Sequence, residues 1–430
     1  MRSAFLLTVC VLIGVISCGR SAGNETRKEK TDIVGTLDTT ADFSETELRL
    51  LHAQREAVCI AAGLDERQLA AQVIMAGIDG QGYLNRDMQV LLDECPAGGI
   101  MLFRYNLDSS PEEIQRLVSE TSAYIAARTA VNLTDCGEFS GGSKGMFSGC
   151  LLPFVAVDHE GGQVKRFRSG VAALPPAGSY ITIAHNSGWD KAIAQIEDDS
   201  FRAGAELYNL GINMNFAPVL ESLNNYNSEF LGSRLYGPDP DFVTRAAGAF
   251  IRGMEGAGLL CVVKHFPGSA GKDPHLYPSI INDRIDELDS LTLPFARLIG
   301  SGQARALMVT HTLVTARDSA YGASLSPRVM KDWLRDEWGF SGIIICDDFS
   351  MAAVSSTVTG SAGLSDSAAA AVRSLASGAD MVMAWPPDLR RTHSAIQNAL
   401  ANGSLSPERL REAAARIICE KIKMELVFFE

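Results

Sequence analysis

The chain lacks several features that would narrow its chemistry. It has no Cys-x-x-Cys pair and no His/Cys cluster, so nothing in it reads as a metal site. It lacks a basic surplus: 38 Lys and Arg face 51 Asp and Glu, a net charge of −13. A nucleic-acid backbone needs a cationic face, and this composition argues against such a partner. The leading apolar run, Ala4 to Ile16, is too short to span a bilayer as a helix. There is also no convincing phosphate loop. Ile78-Asp79-Gly80-Gln81-Gly82 has no third glycine at a helix start, so it is a weak match to the loop that a doubly wound open sheet, the alternative fold, would usually show.

The leader has its own signature. Arg2 precedes the apolar run, which ends Val15-Ile16-Ser17-Cys18. This resembles a bacterial lipoprotein signal, in which cleavage exposes the cysteine for acylation. Residues 1–18 are therefore read as signal and Cys18 as the lipidation site of an exported, envelope-anchored protein. Residues 19–45 are polar and poor in apolar side chains, as a tether would be. Of the nine cysteines, Cys261 and Cys346 sit in apolar runs and read as buried small hydrophobes. Cys136 and Cys150 bracket a Gly/Ser-rich stretch and are candidates for a disulfide.

Residues 46–425 read as one large domain. Eight short apolar runs alternate with helical patterns: Val73–Ile78, Gly98–Phe103, Pro153–Asp158, Gly211–Phe216, Leu259–Lys264, Ala306–His311, Gly342–Asp347 and Ala379–Ala384. Alternation of this kind implies a parallel sheet. Eight units in roughly 330 residues are the content of an α/β (β/α)8 barrel of the TIM type. Thr129 to Leu152 is low in apolar content and reads as a surface insertion in the second βα connection. The chain closes with a helical pattern, Pro407–Lys423.

Barrel enzymes carry their working residues at the C-terminal ends of strands. The third run ends Asp158-His159-Glu160-Gly161-Gly162, with Arg166 beyond it. The fifth ends Lys264-His265 and breaks into Phe266-Pro267-Gly268, followed by Asp273-Pro274-His275. The sixth ends Thr310-His311, and the seventh ends Asp347-Asp348-Phe349-Ser350-Met351. Polar groups at one end of neighbouring buried strands are costly unless they have partners or a task.

Together with Gly232-Ser233-Arg234, and in this order, these segments resemble family 3 glycoside hydrolases. They are most similar to the NagZ-type β-N-acetylglucosaminidase branch, from about Leu69 to Trp385. The resemblance implies a retaining mechanism without cofactor. Asp347 would be the nucleophile, His275 the general acid and base, and Asp273 its orienting partner. Asp158, Arg166, Arg234, Lys264 and His265 would bind a GlcNAc-containing carbohydrate. His159 and His311 read as orienting or structural groups, Glu160 as structural, and Glu221 lies too far past the fourth run to receive a role.

The match departs from its pattern in one place. The branch usually reads Lys-His-Phe-Pro-Gly-His-Gly with a longer spacer before Asp-Ser-His. Here Ser269, Ala270 and Pro274 replace His, Gly and Ser. A β-glucosidase-like hydrolase, a phosphorylase and a non-catalytic sugar-binding surface lipoprotein therefore stay open beside the hexosaminidase reading.

Overall fold

Strand residues buried on both sides need apolar side chains throughout, and this chain supplies them in eight short runs. The computed structural model describes residues 44–133, 147–356 and 366–429. The expected signal, Cys18, nearly all of the tether and Cys136 lie outside these residues. So, therefore, does the expected Cys136–Cys150 pairing. The chain divides into two units, Met1–His52 and Ala53–Glu430, with the helix Glu45–Gly63 beginning in the first. Among the described residues no helix is long and apolar enough to cross a membrane.

The eight barrel strands are Ile74–Gly77, Gly99–Leu102, Phe154–Val157, Met214–Asn215, Leu260–Phe266, Ala306–Val309, Ile343–Cys346 and Val382–Ala384. We refer to them as strands one to eight. Each falls on one of the eight apolar runs. All pair in parallel and in chain order, from seven through one to eight. A parallel bridge between Ile345 and Met381 joins strand seven to strand eight and closes the barrel. The sheet is thus the TIM-type (β/α)8 barrel that the alternation implies.

The helices start where local chemistry tells them to. Ser110 caps Pro111–Ala126 and forms a reciprocal capping box with Glu113. Asp239 and Ser406 cap Pro240–Gly256 and Pro407–Lys423, each with proline in the first turn. The helix expected over Pro327–Trp338 is present as Arg328–Glu337 but wound as a π-helix. Its Trp333 is fully buried and lies 4.9 Å, centroid to centroid, from the Phe266 ring. Phe295 and Trp338 complete the aromatic cage around Phe266, each 5.4 Å from it. This cage fixes the tip of strand five directly after Lys264-His265. The Lys264–His265 and Phe266–Pro267 peptides are cis.

Two expectations are corrected. The insertion at 129–152 joins the helix Pro111–Ala126 to strand three, so it belongs to an αβ connection at the barrel's N-terminal end. Its flanks are strands: Ala130–Leu133 pairs antiparallel with Phe147–Leu151. The chain does not close on its last helix either, because Val427–Phe429 follows and pairs with Phe147–Leu151. Pairing between segments so far apart in sequence leaves no local pattern, and the Gly- and Ser-rich composition hides the strands further.

The foot of the barrel also holds buried charge. Asp380, fully buried below strand eight, accepts from Arg335 at 2.5 Å, Arg409 at 2.8 Å and Arg416 at 3.1 Å. Burial opposes its ionisation, but Arg335 and the other two arginines hold the carboxyl down at about 2. Lys421 is also fully buried, and its ammonium donates to the Gln72 amide oxygen at 3.0 Å. Burial pushes its pKa down to about 7.

Candidate active site

The C-terminal ends of strands three and five bring opposite charges together. Strand three delivers Asp158 and Glu160, and strand five delivers Lys264, which is 3% exposed. The Lys264 ammonium bridges both carboxylates, 2.7 Å from Asp158 and 2.6 Å from Glu160. Arg166 reaches the other Asp158 oxygen at 3.1 Å. Arg234 grips Glu160 with two parallel bonds, both 2.8 Å, the fork geometry suited to a carboxylate. All five expected sugar-binding residues thus lie in one network, since Arg234 also stands 3.5 Å from the His265 Nε2.

Burial of this cluster favours neutral groups, and its countercharges reverse that. Asp158 loses solvation, yet Lys264 and Arg166 hold its carboxyl below the ordinary value. Glu160 is likewise desolvated, and Lys264 and Arg234 hold it far below. Burial would lower the Lys264 pKa, but Asp158 and Glu160 raise it. The cluster therefore stays charged and paired, a rigid set of donors and acceptors. Donors are left over: the Arg166 Nε–H is buried without a partner among the described residues. Such a group suits a ligand rich in hydroxyl oxygens.

The segment after strand five arches over the tip of strand seven. Ala352 N–H donates to the His275 carbonyl at 3.2 Å, and Ala353 N–H to the Pro274 carbonyl at 3.1 Å. On the other side, Gly271 N–H donates to the Tyr226 carbonyl at 2.8 Å. Asp273 accepts from the His275 backbone N–H at 3.0 Å and lies 2.7 Å from the ring Nδ1. Its carboxyl, despite some burial, is held below the ordinary value by those two His275 groups. The His275 side chain is 61% exposed.

Asp347 stands at the end of strand seven, half-buried, with one oxygen accepting from Asp348 N–H at 2.9 Å. Beneath it, His311 contacts the Ser324 hydroxyl at 2.6 Å and the Asp348 carbonyl at 2.9 Å. Burial keeps this imidazole below its ordinary pKa, although Asp347 and Asp348 pull it upward and His275 pushes with burial. The charges of Asp347 and His275 thus converge on one ring. Asp348 accepts from Ser350 N–H and hydroxyl, so it closes the turn after the strand. His159 is 1% exposed and spends Nε2 on the Ala172 carbonyl, outside the cluster. Among the described residues no three His, Cys, Asp or Glu side chains gather as a metal site.

A family model, the glycosyl hydrolase family 3 N-terminal domain, matches residues 66–419. This chain belongs to glycoside hydrolase family 3. The beta-hexosaminidase of Methylococcus capsulatus is 34% identical over 340 residues, covering 77% of this chain and 88% of that protein. The beta-hexosaminidase of Pseudomonas aeruginosa is 36% identical over 311 residues, 72% of this chain and 80% of that one. Among solved structures, a family 3 β-N-acetylglucosaminidase from Paenibacillus superposes with a TM-score of 0.69 at 28% identity. That match covers 84% of this chain but only 63% of the longer Paenibacillus protein. The NagZ of Neisseria gonorrhoeae, solved with N-trifluoroacetyl-D-glucosamine, superposes with a TM-score of 0.61 at 26% identity, covering 92% of its length.

Two residues of this family 3 site escape the sequence reading. Glu160 anchors Arg234 and Lys264 together, a larger part than shaping a glycine-rich turn. Glu221 sits beside His265, because strand four continues past its paired residues: Val219 bridges Lys264, and Leu220 N–H donates to the Lys264 carbonyl at 2.7 Å. The signal was available in Ala217 to Leu220, an apolar run that carries the strand onward despite Pro218.

Proposed function

We propose that this family 3 protein is a retaining exo-β-N-acetylhexosaminidase that removes terminal β-linked GlcNAc from peptidoglycan fragments or chito-oligosaccharides. The observation that carries the reading is the Asp273–His275 pair, fastened by backbone bonds over the strand carrying Asp347. Many family 3 folds offer a carboxylate nucleophile; a proton carrier on the same barrel is what makes this site complete. The hexosaminidase relatives and the GlcNAc-type structural neighbours support the choice of sugar.

In this mechanism Asp273 occupies Nδ1 of His275, leaving Nε2 to carry the proton to the glycosidic oxygen. Asp347 attacks C1 as that oxygen departs protonated, forming a glycosyl ester. Water then attacks C1 while the His275 imidazole takes its proton, and the Asp347 carboxylate is released. Asp158, Lys264, Arg166, Arg234 and His265 hold the sugar hydroxyls and acetamide in place.

The test is hydrolysis of an aryl β-GlcNAc by wild type and Asp347→Ala. Loss of turnover in the variant is expected; equal rates would overturn the assignment. A 2-fluoro sugar should trap on Asp347, and a label found elsewhere would refute the nucleophile. Added phosphate should leave the product a free sugar; a sugar 1-phosphate would make the enzyme a phosphorylase. We further propose that Cys18 anchors the protein to the cell envelope. Cys18→Ser should abolish incorporation of a fatty-acid analogue.

A further inference from the structure

Glu221 has no solvent exposure, and its hydrogen bonds run to two residues with separate duties. One carboxylate oxygen accepts from the Ser269 backbone N–H at 2.6 Å. The other lies 2.9 Å from His265 Nδ1 and 3.1 Å from the Ser269 hydroxyl. His265 belongs to the sugar-binding network. Ser269 is the root of the segment that carries His275, and it stands where the family pattern has a histidine.

We propose that Glu221 is a positioning residue for both halves of the site. Through Nδ1 it fixes the tautomer of His265; through Ser269 it fixes the start of the acid/base segment. A carboxylate only accepts, so the His265 proton resides on Nδ1. Nε2 is then a lone pair, and it faces Arg234 Nη2, a group that only donates, at 3.5 Å. His265 Nε2 is therefore an acceptor held only by the long 3.5 Å contact to Arg234, which a sugar hydroxyl can replace.

A glutamine at 221 has one acceptor and one donor. The Ser269 N–H claims the acceptor, so the amide NH2 turns to His265 Nδ1. The imidazole must then move its proton to Nε2, where it meets the Arg234 donor and can no longer accept from substrate. A correct geometry with the wrong tautomer is known to disable a histidine.

The kinetic arm of this proposal rests on the glycosidase reading; the spectroscopic arm does not. With histidine labelled in 15N, and the His265 signal assigned by its loss in a His265 variant, wild type should show the Nδ1–H tautomer. Glu221→Gln should show Nε2–H. With aryl β-GlcNAc, Glu221→Gln should raise KM by roughly 2- to 10-fold, the loss expected for one hydrogen bond between neutral groups. Glu221→Asp, which keeps the carboxylate, should retain the Nδ1–H tautomer and recover most of the affinity. An Nε2–H signal in wild type would overturn the proposal even if no Glu221 variant folded. A folded Glu221→Gln with wild-type tautomer and KM would overturn it as well. Nδ1–H in wild type without turnover of any β-hexosaminide would refute the glycosidase reading and leave Glu221 in its role.

Discussion

Lys421→Met should make this protein more stable at neutral pH. The ammonium is fully buried, 5.4 Å from the Phe154 ring, and its hydrogen bond goes to a neutral amide, Gln72. Burial depresses its pKa from 10.5 to about 7. At ~1.4 kcal/mol per unit, the folded state carries a penalty of roughly 4–5 kcal/mol near pH 7. The sign follows from proton counts. Between pH 7 and 10.5 the unfolded chain binds more protons than the folded one, so wild-type stability climbs with pH across that window. Methionine fills a similar volume without a charge, at the cost of leaving Gln72 short of a donor, about 1–3 kcal/mol. A net gain of about 1–4 kcal/mol is expected at pH 7, read as a rise of several degrees in thermal midpoint. The gap should shrink and then reverse as pH approaches 10.5. A methionine variant that melts below wild type at pH 7, or a gap that ignores pH, would refute the reasoning.

Other variants probe the remaining buried charges and the proton relay. Asp380→Asn leaves three arginines around a neutral amide and should cost about 3–5 kcal/mol, measured as a lower denaturant midpoint at unchanged slope. Glu160→Gln releases the two-point grip on Arg234 and one partner of Lys264; KM for an aryl β-GlcNAc should rise at least about tenfold, with a smaller change in kcat. Asp273→Ala should slow a disaccharide by ~10²–10⁴-fold, while an aryl glycoside with an acidic leaving group, which needs little protonation, should suffer far less. Equal losses on both substrates would remove Asp273 from the relay.

The barrel is legible in the sequence because its strands are buried on both faces, so each announces itself as an apolar run. The site is legible for the complementary reason. Lys264 and Asp347 interrupt such runs at one end, where a polar group has no packing reason to be. The residues that escape are those whose neighbours are set by distant chain. Glu221 follows a proline and looks detached from strand four until Val219 is seen beside Lys264. Lys421 sits in a helix whose charges look solvated, and only the packed foot of the barrel reveals it as buried. The strand Val427–Phe429 has no partner nearby in sequence and needs the hairpin of the insertion to exist.

The three main-chain bonds that hold the His275 segment have a consequence for how this surface can vary. Gly271, Ala352 and Ala353 contribute only backbone N–H groups, and Tyr226, Pro274 and His275 only carbonyls. These bonds use only peptide groups, so beyond the left-handed glycine at Gly271, φ +83°, this fastening asks little of side-chain identity. Lys272 and Leu276 can drift, and with them the polarity of the surface around His275, while the proposed proton carrier keeps its address. Substrate range can therefore diversify at the rim without renegotiating the chemistry at the centre.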